Sequence, residues 1–188
     1  DFDCEKVDLK KGQEFTLTSR DILGNKDIVS ITYKDLPSQL EAGNKILVDD
    51  GKVTLEVISV DKTDILCKVI IGGAISNHKG VNVPNVHLNF AYLSEKDKAD
   101  LRFGVENDVD YIAASFVRSK EDVISIRNYL DYVGGKDIKI ISKIENNEGI
   151  ENFDEILKYS DGIMVARGDM GVEVEYERLP GLQKQFIK

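Results

Sequence analysis

The chain has 188 residues, 41% of them hydrophobic and 31% charged, with a formal net charge of −9. That length suits one or two globular domains, and so acidic a chain lacks the basic surface that contact with a nucleic-acid backbone requires. No run of about 18 or more apolar residues and no basic-plus-apolar leader is present, so neither a membrane span nor a secretion signal is expected, and Cys4 and Cys67 are too few for a disulfide framework or a zinc site and read as two free thiols.

Residues 1–85 read as all-β. Glu14-Phe15-Thr16-Leu17-Thr18 alternates in period two, residues 28–33 and 45–48 are further strands, and residues 52–60 and 65–71 alternate again. Asp49-Asp50-Gly51 is a hairpin signal, because Asp and Gly tolerate positive φ. Turn residues recur at Gly12, Leu23-Gly24-Asn25, Gly43-Asn44 and Asp61-Lys62. Many short strands with regular turns predict a small barrel or sandwich.

The pattern changes across residues 72–84 and then becomes helix, strand, helix, strand over residues 86–188. Ser94-Glu95-Lys96-Asp97 starts a helix with a capping box, and that helix carries Leu101, Phe103 and Val105. Residues 110–117 (DYIAASFV) form a strand. Ser119 caps a second helix with Val123, Ile126, Tyr129 and Leu130 on one face, ended by Gly134-Gly135. A strand then runs into Lys143, a helix bears Phe153, Ile156 and Leu157, and another strand runs into Arg167-Gly168-Asp169. Evenly spaced strand ends at Ser115, Lys143 and Arg167 argue for a parallel sheet built of three βα units.

The last two strands are continuous apolar runs, as expected of parallel strands buried on both faces. Charges at their ends fall on the sheet's carboxyl edge, where α/β folds build active sites. By strand parity Lys143 and Glu145 point the same way, and so do Arg167 and Asp169 if strand geometry persists through Gly168. Two carboxylates, Glu145 and Asp169, beside the compact charge of Lys143 suit a hard divalent cation and an anionic substrate. The bland alternative is a set of solvated loop charges.

At these residues the chain resembles the pyruvate kinase family. SKIEN followed by EG, then FDEIL, then SDGIMVARGDMGVE, matches that family's signature block, and the match extends back through GGAISNHKGVNVP and DYIAASFVRS. The resemblance implies a partial TIM (β/α)8 barrel, strands four to six, over residues 86–188, preceded by the inserted β-rich lid domain, a small β-barrel, over residues 1–85. It implies transfer of a phosphoryl group from phosphoenolpyruvate to ADP, giving pyruvate and ATP, in a cytoplasmic glycolytic enzyme. Lys143 would then be the catalytic lysine, and Glu145 and Asp169 would hold Mg²⁺ or Mn²⁺. Lys143 and the backbone at Gly168 and Asp169 would bind substrate. Lys79 would reach nucleotide phosphates, against the alternative of a solvated hinge lysine. Asp50 would face the same cleft or serve only its turn.

A potassium ion and a homotetramer are further implications for the full-length enzyme, with no nucleic acid or membrane partner. Residues of the family's site from its first three barrel strands and its seventh have no counterpart here. The chain alone is therefore expected to be inactive, and its ends read as internal to a larger protein. A metal-dependent aldolase or mutase of the phosphoenolpyruvate/pyruvate barrel type, and a non-catalytic module retaining the fold, are the competing readings. The inserted β-rich region and the pairing of SKIEN with RGD argue against the first of these.

Overall fold

Period-two alternation organises the first half of the chain. The computed structural model describes residues 1–188, which divide into two compact units, Asp1–Asn89 and Phe90–Lys188. In the first unit the strands are β1 (Lys6–Leu9), β2 (Glu14–Thr18), β3 (Ile28–Ser30), β4 (Lys45–Val48), β5 (Val53–Val60), β6 (Asp64–Ile71), β7 (Gly73–Ser76) and β8 (Val81–Asn82). Six of them make one sheet in the order β3-β2-β6-β5-β4-β8, and β1 pairs with β7. Alternate residues point to one side and bury there: Phe15 and Leu17, Ile46 and Val48, Val53, Leu55 and Val57, Ile65, Cys67 and Val69. They form a single apolar cluster. Burial pushes the Cys67 thiol up to about 12. The Asp49-Asp50-Gly51 turn between β4 and β5 takes positive φ at all three residues, 52°, 56° and 81°.

The second unit contains α1 (Glu95–Glu106), β9 (Tyr111–Ala114), α2 (Lys120–Val133), β10 (Lys139–Ile144), α3 (Asn147–Glu151), α4 (Phe153–Tyr159), β11 (Gly162–Val165), α5 (Arg167–Glu173) and α6 (Leu179–Ile187). The sheet order is β11-β10-β9, and both pairings are parallel. Helix α1 starts on the expected capping box: the Ser94 hydroxyl accepts from the Asp97 N–H, and the Asp97 carboxylate accepts from the Ser94 N–H. Helix α2 buries Val123, Ile126 and Leu130. It ends at Gly134 with φ 96°, a left-handed cap that a β-carbon would strain.

Several expectations need correction. The strand expected over residues 110–117 stops at Ala114. Phe103 is exposed rather than core, and so is Leu157. Ser119 stands at the start of α2, but its side chain makes no capping bond. The helix expected at Phe153 is preceded by a separate short helix, α3. The apolar run of β10 is covered on one face only. Ile140, Ser142 and Ile144 are each 0% exposed, and the two isoleucines share a cluster with residues of α2 and α4. The other face carries Tyr111, Lys139 and Met164, all exposed.

Candidate active site at the carboxyl edge of the parallel sheet

Strand β10 delivers the lysine and the first carboxylate. Lys143 and Glu145 lie on the same side of the chain, as parity requires, while Ser142 points the other way and shares a 2.6 Å hydrogen bond with Ser160. The Lys143 ammonium lies 2.6 Å from Glu145 Oε1 and donates to Ser115 Oγ at 2.9 Å. The Glu145 side chain is 0% exposed. Its Oε2 accepts the N–H of Phe116. Its Oε1 has no hydrogen bond: the ammonium is at ion-pair distance but is not aligned to donate. Burying a carboxylate is costly and the ammonium compensates it here, while an oxygen with a lone pair to spare is what a hard cation needs.

Ser115 reads from the sequence as a strand-end hydroxyl that either touches the site or satisfies backbone groups, the latter favoured, and it touches Lys143; Phe116 gives no signal. Ser115 sits just past the end of β9, and β9 is in parallel register with β10 (Ser142 opposite Ala114). That neighbourhood brings its hydroxyl to Lys143. Phe116 contributes only backbone, and does so from φ +53°. A non-glycine residue in that region costs roughly 1–2 kcal/mol. No side-chain pattern signals a backbone donor.

Strand β11 lies on the other side of β10, with Lys143 opposite Met164 and Ile144 opposite Val165. The Ala166 N–H still reaches the Ile144 carbonyl at 3.2 Å, so both strands end together. The expectation that strand geometry continues through Gly168 is corrected. Helix α5 begins at Arg167 and places Asp169 in its first turn, so Arg167 and Asp169 do not share a strand face. Both are exposed. Asp169 makes no ion pair and no side-chain hydrogen bond, and the structure joins it to neither Glu145 nor Lys143. A β-carbon at Gly168 would meet nothing within 4 Å, so the backbone there opens onto free space. The helix start is set by chain connectivity after β11, and the apolar anchor is Met170, which is 0% exposed.

In the first unit Lys79 is drawn to Asp49, not Asp50. Its ammonium is 3.2 Å from Asp49 Oδ1, and the Lys52 ammonium takes Asp49 Oδ2 at 3.0 Å. The two lysines, Lys52 foremost, hold the Asp49 carboxyl below its usual range. Asp50 is exposed. The turn therefore gathers two ammonium groups around Asp49, with the Asp50 carboxylate close enough to act on Lys52.

The comparisons agree with one another. The family described as "Pyruvate kinase, barrel domain" matches residues 2–188. The chain is 54% identical to pyruvate kinase from Clostridium perfringens over 97% of its own length and 39% of that protein. It is 49% identical to pyruvate kinase from Clostridium acetobutylicum, over 100% of this chain and 40% of that one. It is 47% identical to the Geobacillus stearothermophilus enzyme, over 97% of this chain and 31% of that one. The chain thus spans two fifths or less of the length of these relatives. A match along nearly the whole chain, taking in both the β-rich unit and the edge that carries Lys143 and Glu145, establishes that the chain belongs to the pyruvate kinase family.

Proposed function

We propose that the protein containing this chain transfers a phosphoryl group from phosphoenolpyruvate to ADP, with Lys143 as its catalytic lysine. The observation that carries the reading is a fully buried Glu145 whose Oε1 is held by the Lys143 ammonium at 2.6 Å and by no other group. In this reaction an ADP β-phosphate oxygen attacks phosphorus, the bond from phosphorus to the enol oxygen breaks, and the enolate left behind takes a proton on carbon. Negative charge grows on the enol oxygen as that bond breaks. A fixed ammonium there stabilises charge that the ground state does not carry.

Glu145 Oε1 and the Asp169 carboxylate would hold Mg²⁺ or Mn²⁺. The donor set fits a hard cation that takes one or two protein carboxylates and leaves its other positions to water and substrate. Such an ion, when bound, supplies Lewis-acid neutralisation of phosphoryl and enolate oxygens. Phe116 keeps Oε2 occupied, and Ser115 keeps the ammonium directed along the edge. The backbone at Gly168 and Asp169, unobstructed by any side chain at Gly168, receives the substrate carboxylate. Lys79, with Lys52 beside it, provides positive charge for nucleotide phosphates.

In this reading the second unit is the stretch of a (β/α)8 barrel that holds strands four to six, and the first is a lid. K⁺, a tetrameric assembly and a cytoplasmic location belong to the same proposal. No helix of the chain is long and apolar enough to cross a membrane. The deciding experiment uses the full-length protein and follows ATP formation from phosphoenolpyruvate and ADP together with Mn²⁺ binding. Glu145→Gln is expected to abolish tight Mn²⁺ binding, and Lys143→Met to lower turnover by about 10²–10³-fold. Near-parental turnover in Lys143→Met would end the assignment.

A further inference from the structure

The Phe116 N–H reaches Glu145 from a strained turn, and nothing in residues 115–119 themselves explains why the turn holds that shape. The explanation lies outside it. Asp122, in the first turn of α2, has a side chain only 8% exposed. Its Oδ2 accepts the Arg118 N–H at 2.9 Å and Arg118 Nε at 3.1 Å, and its Oδ1 accepts the Arg118 guanidinium at 3.1 Å. It thus ties the residue before the α2 N-cap to the helix's first turn. The same guanidinium lies 4.4 Å over the Phe90 ring and 6.0 Å from the Tyr92 ring. The Tyr92 hydroxyl donates to the Ser115 carbonyl at 2.6 Å, and burial keeps that hydroxyl protonated by raising its pKa.

Two further carbonyls of the turn are pinned as well. Asn152 Nδ2 donates to the Arg118 carbonyl at 2.9 Å, and Asn146 Nδ2 approaches the Val117 carbonyl at 3.4 Å. The turn is therefore fixed on both sides of Phe116. A backbone in an unfavourable region persists when its surroundings over-determine it, and such strain collects at functional sites.

We propose that Asp122 is a positioning residue for the reacting edge. By locking Arg118, with Tyr92 locking Ser115, it holds the Phe116 N–H on Glu145 Oε2 and so presents Oε1 to the divalent cation. The inference rests on the proposed role of Glu145 as a metal ligand. Groups that orient a ligating carboxylate set metal affinity without touching the ion.

The test measures Mn²⁺ affinity of the full-length protein, and backbone amide exchange at Phe116, in Asp122→Asn and Tyr92→Phe. Both variants should weaken Mn²⁺ binding, Asp122→Asn by about tenfold or more. Exchange should quicken at Phe116 while the Ile140 amide, at the opposite end of the sheet, stays protected. Mn²⁺ affinity within about twofold of the parent in both variants would overturn the proposal. So would exchange that quickens equally at Ile140, which would mark a general loss of stability. If Asp122→Asn does not fold, Tyr92→Phe decides alone. Glu145→Gln separates the two readings. If it binds Mn²⁺ like the parent, the metal assignment has failed. If it loses Mn²⁺ while both clamp variants keep it, only the positioning role has failed.

Discussion

At the amino end of the parallel sheet Asp161 accepts the Ile140 N–H at 2.9 Å and pairs with Lys139 and Arg127, each at 3.5 Å. Arg127 in turn caps the carbonyls of Lys136 at 3.1 Å and Ile138 at 2.6 Å. These groups keep part of their hydration, with about a third of the Arg127 and Asp161 side chains and over half of Lys139 exposed. At the carboxyl end Glu145 has no exposure, one oxygen without a hydrogen bond, and a donor supplied from positive φ. One end satisfies its polar groups at little cost, and the other keeps an expensive arrangement that packing alone would not select. Local rules are broken where chemistry is expected and obeyed where the sheet is merely held together.

The sharpest way to break this contrast is the double variant Lys143→Met/Glu145→Gln. Turnover of the full-length protein should fall by about 10³-fold or more. Thermal stability should recover relative to Lys143→Met alone, because removing one partner strands a buried charge while removing both does not. A double variant less stable than that single one would mean the pair is there for stability. Gly149→Ala comes next. Its β-carbon would lie 2.6 Å from the Val117 carbonyl oxygen, so the turn or α3 must shift. A loss of about 1–3 kcal/mol is expected in urea denaturation, together with weaker Mn²⁺ binding.

At the amino end, Arg127→Ala should cost about 1.5–3 kcal/mol in the same denaturation assay, since charged hydrogen bonds to carbonyls are lost. Its kcat/KM should match the parent. A large kinetic effect there would erase the distinction between the two ends. The smallest effect concerns pH. The hydrogen bond from Ile140, then the Lys139 charge, lowers the Asp161 pKa from its ordinary 3.8 despite some desolvation. Its contribution is therefore complete above that ordinary value and fades as pH falls through the lower folded one. Thermal unfolding of Asp161→Asn should show a deficit at pH 7 that closes below about pH 4.

Much of this was legible because it is local. The Ser94–Asp97 box, the Val123/Ile126/Leu130 stripe, the Gly134 cap and the Asp49-Asp50-Gly51 turn each depend on neighbours within one element, and each is found. Parity placed Lys143 and Glu145 together and sent Ser142 away. The failures are tertiary. The helix that begins at Arg167 depends on Met170 finding the core. The single-sided burial of β10 depends on which helices the chain brings to it, which an apolar run does not encode. The Phe116 amide and Asp122 join the edge through strand register and the largely enclosed Arg118 guanidinium, and no periodicity reports those.

Cys67 has a consequence of its own. Its thiol is fully enclosed, Cys4 is exposed, and residues 90–188 contain no cysteine. An alkylating reagent under native conditions should therefore count one sulfur promptly, and the second only when the β-rich unit opens, because a protonated, sequestered thiol does not react. The delay before the second equivalent is a clock for that unit's opening, silent to anything that happens among the helices.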